Sequence, residues 1–130
     1  MIVLSDDAAI KRVLFHRDIL EKVKNNVEYD LSEFELPKSW VYLTETGDEV
    51  FILSDSDQIH VNILPSARGS AYFKCKRFIK WIFENTDLEQ IFLKVHIRHK
   101  SAICLAKLCG FETVNTRNER ELMRFKKCHL

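Results

Sequence analysis

His60 is the side chain in this sequence best suited to moving a proton. It stands in the run QIHVNIL (residues 58–64), where Ile59, Val61 and Ile63 alternate with His60 and Asn62. An alternation of period two is the signature of a strand, so His60 and Asn62 share the face opposite the apolar one. An unperturbed histidine titrates near neutrality, which makes His60 the candidate general base. Asn62 and Asp57 are candidate substrate contacts. The simpler reading of His60, a hydrogen-bonded histidine beneath the N-terminal helices, stands beside this one. His96 and His99 leave a second strand as His-x-x-His. A zinc site would need a distant cysteine to join them, and ordinary loop or surface histidines are the simpler assignment.

A second chemical feature follows directly. The turn Pro65-Ser66-Ala67-Arg68-Gly69-Ser70-Ala71 hands the strand to a helix running from about Ser70 to Glu84. At such a junction the first N–H groups of the helix lack partners, and the helix dipole adds about half a positive charge. An anion is therefore welcome there. The amides of Arg68, Gly69, Ser70, Ala71, Tyr72 and Phe73, with the Arg68 guanidinium, are the candidate anion contacts. A solvated surface arginine is the simpler alternative for Arg68.

These residues are positioned by a βαβ unit: strand Gln58–Leu64, the basic turn, the long helix, and strand Gln90–Ile97 with alternating Ile91, Leu93, Val95 and Ile97. Its two strands must be parallel. Along the helix Tyr72, Cys75, Phe78, Ile79, Ile82 and Phe83 form an apolar stripe, and Lys74, Lys76, Arg77 and Lys80 occupy the other sides. The rest of the chain builds on this unit. Met1–Leu4 reads as an edge strand, and Ser5-Asp6-Asp7 offers a cap to a helix carrying Ile10, Val13 and Leu14. That helix continues, broken or as a second one, through Ile19, Leu20 and Val23 to about Asn26. An acidic irregular stretch, Tyr29–Lys38, is placed to lie over a cleft. Strands Ser39–Leu43 and Glu49–Leu53 are joined by a turn in which Gly47 takes positive φ. A helix through Ala102–Leu108 ends at Gly110. Strands Phe111–Val114 and Glu121–Phe125 follow, joined by a polar turn at Asn115–Asn118.

The composition bounds the function. At 130 residues and 46% hydrophobic, the chain suits one domain spanning residues 1–130, with a core of its own. Twenty basic against nineteen acidic residues give a net charge of +1, which offers no general attraction to nucleic acid. No apolar run approaches the ~20 residues of a membrane span, and MIVLSDD lacks the pattern of a secretory signal. The four cysteines, Cys75, Cys104, Cys109 and Cys128, form no Cys-x-x-Cys pair and read as free thiols of a reducing cytoplasm. No metal is expected.

In element order and spacing, the chain resembles the GNAT acetyltransferases over nearly its whole length. ILPSARGSA at the strand-to-helix turn and SAICLAKLCGF before the last hairpin carry the likeness. The phrase LPSARGSAYFKCKRFIKWIF is similar to small GNAT-like proteins of tailed bacteriophages. The resemblance implies an α/β GNAT-like fold, its mixed, mostly antiparallel sheet flanked by helices and opened between a central parallel strand pair. Acetyl-coenzyme A would lie in that opening, its diphosphate on Arg68–Phe73 and its pantetheine arm against main-chain groups such as those of Ile63. The acceptor would be an amine on a small molecule or a protein, and His60, Asn62 and His99 are the candidate catalytic residues beside it. The sequence departs from the family pattern at Ala71 and Phe73, which replace glycines, at Ala106, which replaces a proton-donating tyrosine, and at His99, which replaces an asparagine. These departures support a second expectation: a GNAT-fold phage protein without catalysis, binding a phage or host protein in virion assembly or acting on the host. Either way the expected location is the host cytoplasm, with virion association under the second reading, and self-association is open.

Overall fold

A computed structural model describes residues 1–16, 18–19 and 35–130. Seven strands form one sheet: β1 (Ile2–Val3), β2 (Val41–Thr44), β3 (Glu49–Ser54), β4 (Gln58–Ile63), β5 (Gln90–His96), β6 (Glu112–Arg117) and β7 (Arg120–Lys126). Their spatial order is β1-β2-β3-β4-β5-β7-β6. Every neighbouring pair is antiparallel except β4–β5, the parallel pair required by the βαβ unit. Three α-helices are described: α1 (Asp7–Leu14), α2 (Ala71–Asn85) and α3 (Lys100–Cys109). None is long and apolar enough to cross a membrane.

The alternation along the strands divides the core in two. Phe51, Ile59, Ile91, Val95 and Met123 point to one face, where α2 and α3 cover them with Phe78, Ile79, Ile82, Ile103 and Ala106. Phe51 and Phe78 meet with ring centroids 4.9 Å apart and are fully buried. Burial of each such side chain contributes about 2–3 kcal/mol. Cys75 and Cys109 are buried in the layer shared by α2 and α3, and all four cysteines are free. On the other face Val50, Ile52 and Tyr42 pack against Ile10, Val13 and Ile19. Asp6 caps α1 by accepting the Ala8 N–H at 2.9 Å, as the acidic start of that segment implies. The continuation expected through Leu20 and Val23, and most of the acidic stretch, lie outside the described residues.

Two expectations need correction. Lys74 is not among the solvated cations of α2 but is buried with the apolar stripe. The last hairpin turns at Asn118–Glu119 rather than Asn115–Asn118, with φ of 52° and 60° at those two residues. Two consecutive positive φ values match the twist of paired strands, so pairing continues through Asn115 and Thr116 to Arg117.

Gly110 ends α3 at φ 112°, and its neighbour Phe111 is buried in the core. A methyl group there would meet Phe125 Cε2 at 2.7 Å. Both the backbone angle and the close ring require glycine.

Candidate active site

The parallel strands β4 and β5 meet at one end only. Their single register pair is Gln58 with Phe92, and the Phe92 N–H donates to Asp57 O at 2.8 Å. Beyond this point β4 runs on to Ile63 and β5 to His96 without pairing, so the two strands splay. Main-chain groups on the facing edges are thereby left without a strand partner. Continuing the register would set His60 against Lys94 and Asn62 against His96. These four side chains flank the opening on the face away from α2 and α3.

His60 is half-buried at one wall. Its ring stacks on Trp40 with centroids 5.8 Å apart, and its Nε2 lies 3.1 Å from Ser54 Oγ. Trp40 is itself held by Nε1–H donation to Asp55 Oδ1 at 3.2 Å. Burial lowers the His60 pKa, and the Asp55 carboxylate opposes that shift. Ser54 Oγ also lies 3.2 Å from Gln58 O. A hydroxyl has one proton; with it on Gln58 O, His60 Nε2 must donate to Ser54 and Nδ1 carries the free lone pair. Asn62 Nδ2 donates to Val50 O at 3.4 Å, which turns the amide toward β3.

The turn after β4 is a 3₁₀ helix, Pro65–Ser70, closed partly on itself. The Ala67 N–H donates to Leu64 O at 2.9 Å, and the Ala71 N–H donates to Arg68 O. Ser70 Oγ–H donates back to Ala67 O at 3.2 Å, so no side chain caps α2. Arg68 is exposed and directs its Nε–H to Ile63 O at 3.3 Å, leaving the two terminal guanidinium nitrogens without a bond among the described residues. An added Cβ at Gly69 would meet nothing within 4 Å. Tyr72 packs edge-on to Phe73 at 5.2 Å and carries Lys76 Nζ 5.5 Å over its ring. Phe73 is 61% exposed.

His96 and His99 sit where β5 enters α3. His96 Nδ1 accepts the Arg98 N–H at 3.1 Å, so its proton resides on Nε2, 3.4 Å from Glu119 Oε2. The His99 ring stands edge-on to His96 at 6.1 Å. Ala106 is buried. Among the described residues no group of three His, Cys, Asp or Glu side chains is placed to hold a metal ion.

Sequence reasoning missed the device that fixes this corner. Glu49, fully buried, receives Lys74 Nζ at 2.6 Å, the N–H groups of Glu45 and Thr46 at 2.7 and 2.6 Å, and the hydroxyls of Thr44 and Thr46. Burial alone would raise its pKa; the hydrogen bond from Lys74 and those from the Thr46 and Glu45 amides outweigh burial and hold it at about 2. Arg77, one turn on, grips Glu45 with two nitrogens at 2.7 and 2.5 Å. The start of α2 is thus bound to the β2–β3 turn. The signal was spacing: Lys74 is four residues before Phe78 and eight before Ile82, on the buried stripe.

No protein-family model matches the chain, and no curated protein matches it. Solved structures do. Two chimeras of the spermidine N-acetyltransferase SpeG from Vibrio cholerae and hSSAT align with a TM-score of 0.59 at 16% and 15% identity, each over 69% of this chain and over 67% and 69% of theirs. A point mutant of V. cholerae SpeG aligns with a TM-score of 0.56 at 18% identity, over 67% of this chain and 64% of its own. With a helix-flanked mixed sheet parted at its parallel pair and these structural neighbours, the chain has the fold of the GNAT N-acetyltransferases.

Proposed function

We propose that this protein is an acetyl-coenzyme A-dependent N-acetyltransferase of the cytoplasm. The observation that supports it is the splay of β4 from β5 beyond Gln58 and Phe92. A slot between parallel strands gives an extended thioester arm main-chain hydrogen bonds that a zipped sheet could not offer. Ile63 stands at the end of β4 beside this slot. At the adjoining turn, Arg68 presents two free guanidinium nitrogens to a diphosphate, beside Gly69, Ser70 and the first turn of α2 at Ala71, Tyr72 and Phe73. The cofactor supplies an activated acyl group. His60, kept neutral by burial and oriented by Ser54, accepts a proton from the acceptor amine at Nδ1. Asn62 and His99 are the further polar groups of the proposed site, Asn62 offering its Oδ1 to the acceptor while Nδ2 is held by Val50 O, and His99 assigned to the leaving sulfur.

Two observations favour a second reading, a GNAT-fold protein of phage origin that binds a phage or host protein without catalysis. Ala106 brings no hydroxyl to α3, and the Ala71 amide is already bonded to Arg68 O. Calorimetric titration with acetyl-coenzyme A separates the two. Micromolar affinity, about −8 kcal/mol, weakened about tenfold by Arg68→Ala, supports the transferase. Absence of heat at millimolar cofactor leaves the binding protein, which should then co-purify with particles or their precursors.

A further inference from the structure

The face of β5, β7 and β6 turned away from α2 and α3 carries a concavity of about 500 Å³, lined by Lys94, Asn115, Arg117, Asn118, Arg120 and Leu122. Strand register explains why these residues converge. Lys94 lies opposite Leu122, and Leu122 opposite Asn115; in the next row His96 lies opposite Arg120, and Arg120 opposite Arg117. Both rows start at the wall of the β4–β5 opening and end on the edge strand β6, the second beside the Asn118–Glu119 turn.

The charge there is unbalanced. Lys94, Arg117 and Arg120 make no side-chain hydrogen bond or ion pair among the described residues, and no carboxylate lines the hollow. The nearby acids have other partners: Glu119 faces His96, at the start of the second row, at 3.4 Å, Glu121 accepts from Thr113 at 2.9 Å, and Glu112 pairs with Arg124 at 2.9 Å. Arg117 and Arg120 are directly opposed across a two-residue turn, an arrangement of like charges that destabilises a hairpin unless an anion joins them. Two guanidinium forks and two amide side chains lining one hollow are the donors that phosphate and carboxylate oxygens require.

We propose that this hollow binds the anionic end of the acceptor, so that the substrate is an amine bearing a phosphate or carboxylate, not a polyamine. The inference rests on the transferase reading for the position of the amine, which lies at the β4–β5 opening. Two strand spacings separate that opening from Arg117, so amine and anion stand about 10 Å apart. Three unpaired cations beside the opening repel a polycation such as the spermidine named for the structural neighbours' activity.

The test has two arms on the full chain. In the first, pyrophosphate is titrated at low salt while the Nε–H resonances of Arg117 and Arg120 are followed by NMR. Saturable shifts of both, joined by the side-chain amides of Asn115 and Asn118 that share the hollow, support the site when those two amides no longer respond in Arg117→Gln/Arg120→Gln and the variant's other amide resonances keep their natural positions. Unmoved arginine resonances at millimolar pyrophosphate overturn it, whether or not acetyl-coenzyme A binds. In the second arm, acetyl transfer is compared for an aminoalkyl phosphate, an aminoalkyl carboxylate of matched length, and spermidine. Preference for either anionic amine, with KM raised about tenfold or more by the double substitution and kcat retained, supports the inference and distinguishes phosphate from carboxylate. Preference for spermidine overturns it. Failure of the transferase reading shows separately, as no transfer to any amine while the arginine shifts persist.

Discussion

Lys74 Nζ lies 2.6 Å from Glu49 Oε2, with Glu49 fully buried and Lys74 nearly so. The pair joins the first turn of α2 to the β2–β3 turn and so determines where the Pro65–Ser70 segment sits. Removing one partner strands the other charge in the core. Lys74→Ala is therefore expected to cost about 3–5 kcal/mol, read from the shift in urea midpoint. Lys74→Met with Glu49→Gln should recover part of that loss, since no buried charge remains.

The same carboxyl predicts acid sensitivity. Glu49 is held at about 2 in the fold, against 4.5 for a free glutamate. Its folded value is depressed, so its contribution is fully present above pH 4.5 and is lost as pH falls through about 2. Over that window it amounts to about 3 kcal/mol. Acid unfolding of Glu49→Gln should be correspondingly flatter between those limits, as followed by circular dichroism.

His60 titrates in a different window. Burial lowers its pKa from 6.5, so the neutral ring is favoured in the fold. Its contribution is complete above pH 6.5 and is lost as pH falls through the lower folded value. The melting temperature should decline as pH falls below 6.5 in the natural chain, and less steeply in His60→Gln. If His60 is the base, the acidic limb of the pH–rate profile should vanish in the same variant; an unchanged limb removes it from catalysis.

Gly110→Ala should destabilise the protein by about 2–4 kcal/mol. The new methyl group must displace the buried Phe125 ring, and alanine resists φ 112°. Hydrogen exchange should show the loss concentrated in α3 and β7.

Placing at position 106 the tyrosine that the resemblance implies should not help. Ala106 is 5% exposed, within the layer shared by α2 and α3. Ala106→Tyr overfills that layer and should lower stability by about 1–3 kcal/mol, measured by thermal melting, before any gain as a proton donor is seen.

Side-chain alternation made much of the sheet legible. QIHVNIL and QIFLKVH show period two directly, and Gly110 marks a helix end by its missing Cβ. Lys74 was misplaced because its type says solvent while its spacing says core; the carboxylate that reverses this lies twenty-five residues away, at Glu49. The opening between β4 and β5 has no marker in residue type, being a loss of pairing between main chains. The concavity was hidden for a related reason. Lys94, Arg117 and Arg120 are scattered in sequence and become neighbours only through the β5–β7 and β6–β7 registers.

The outermost strand has a bearing on the molecule's social behaviour. Every residue of β6 is exposed, and its pairing with β7 slips between Thr113 and Asn115, leaving Val114 out of register. That slip bends the rim of the sheet and breaks the even row of donors and acceptors that a stray strand would copy. Among the described residues no element covers this flank, so its guard against fibril-like growth is the bend itself, and deleting Val114 would straighten the rim into a sticky one.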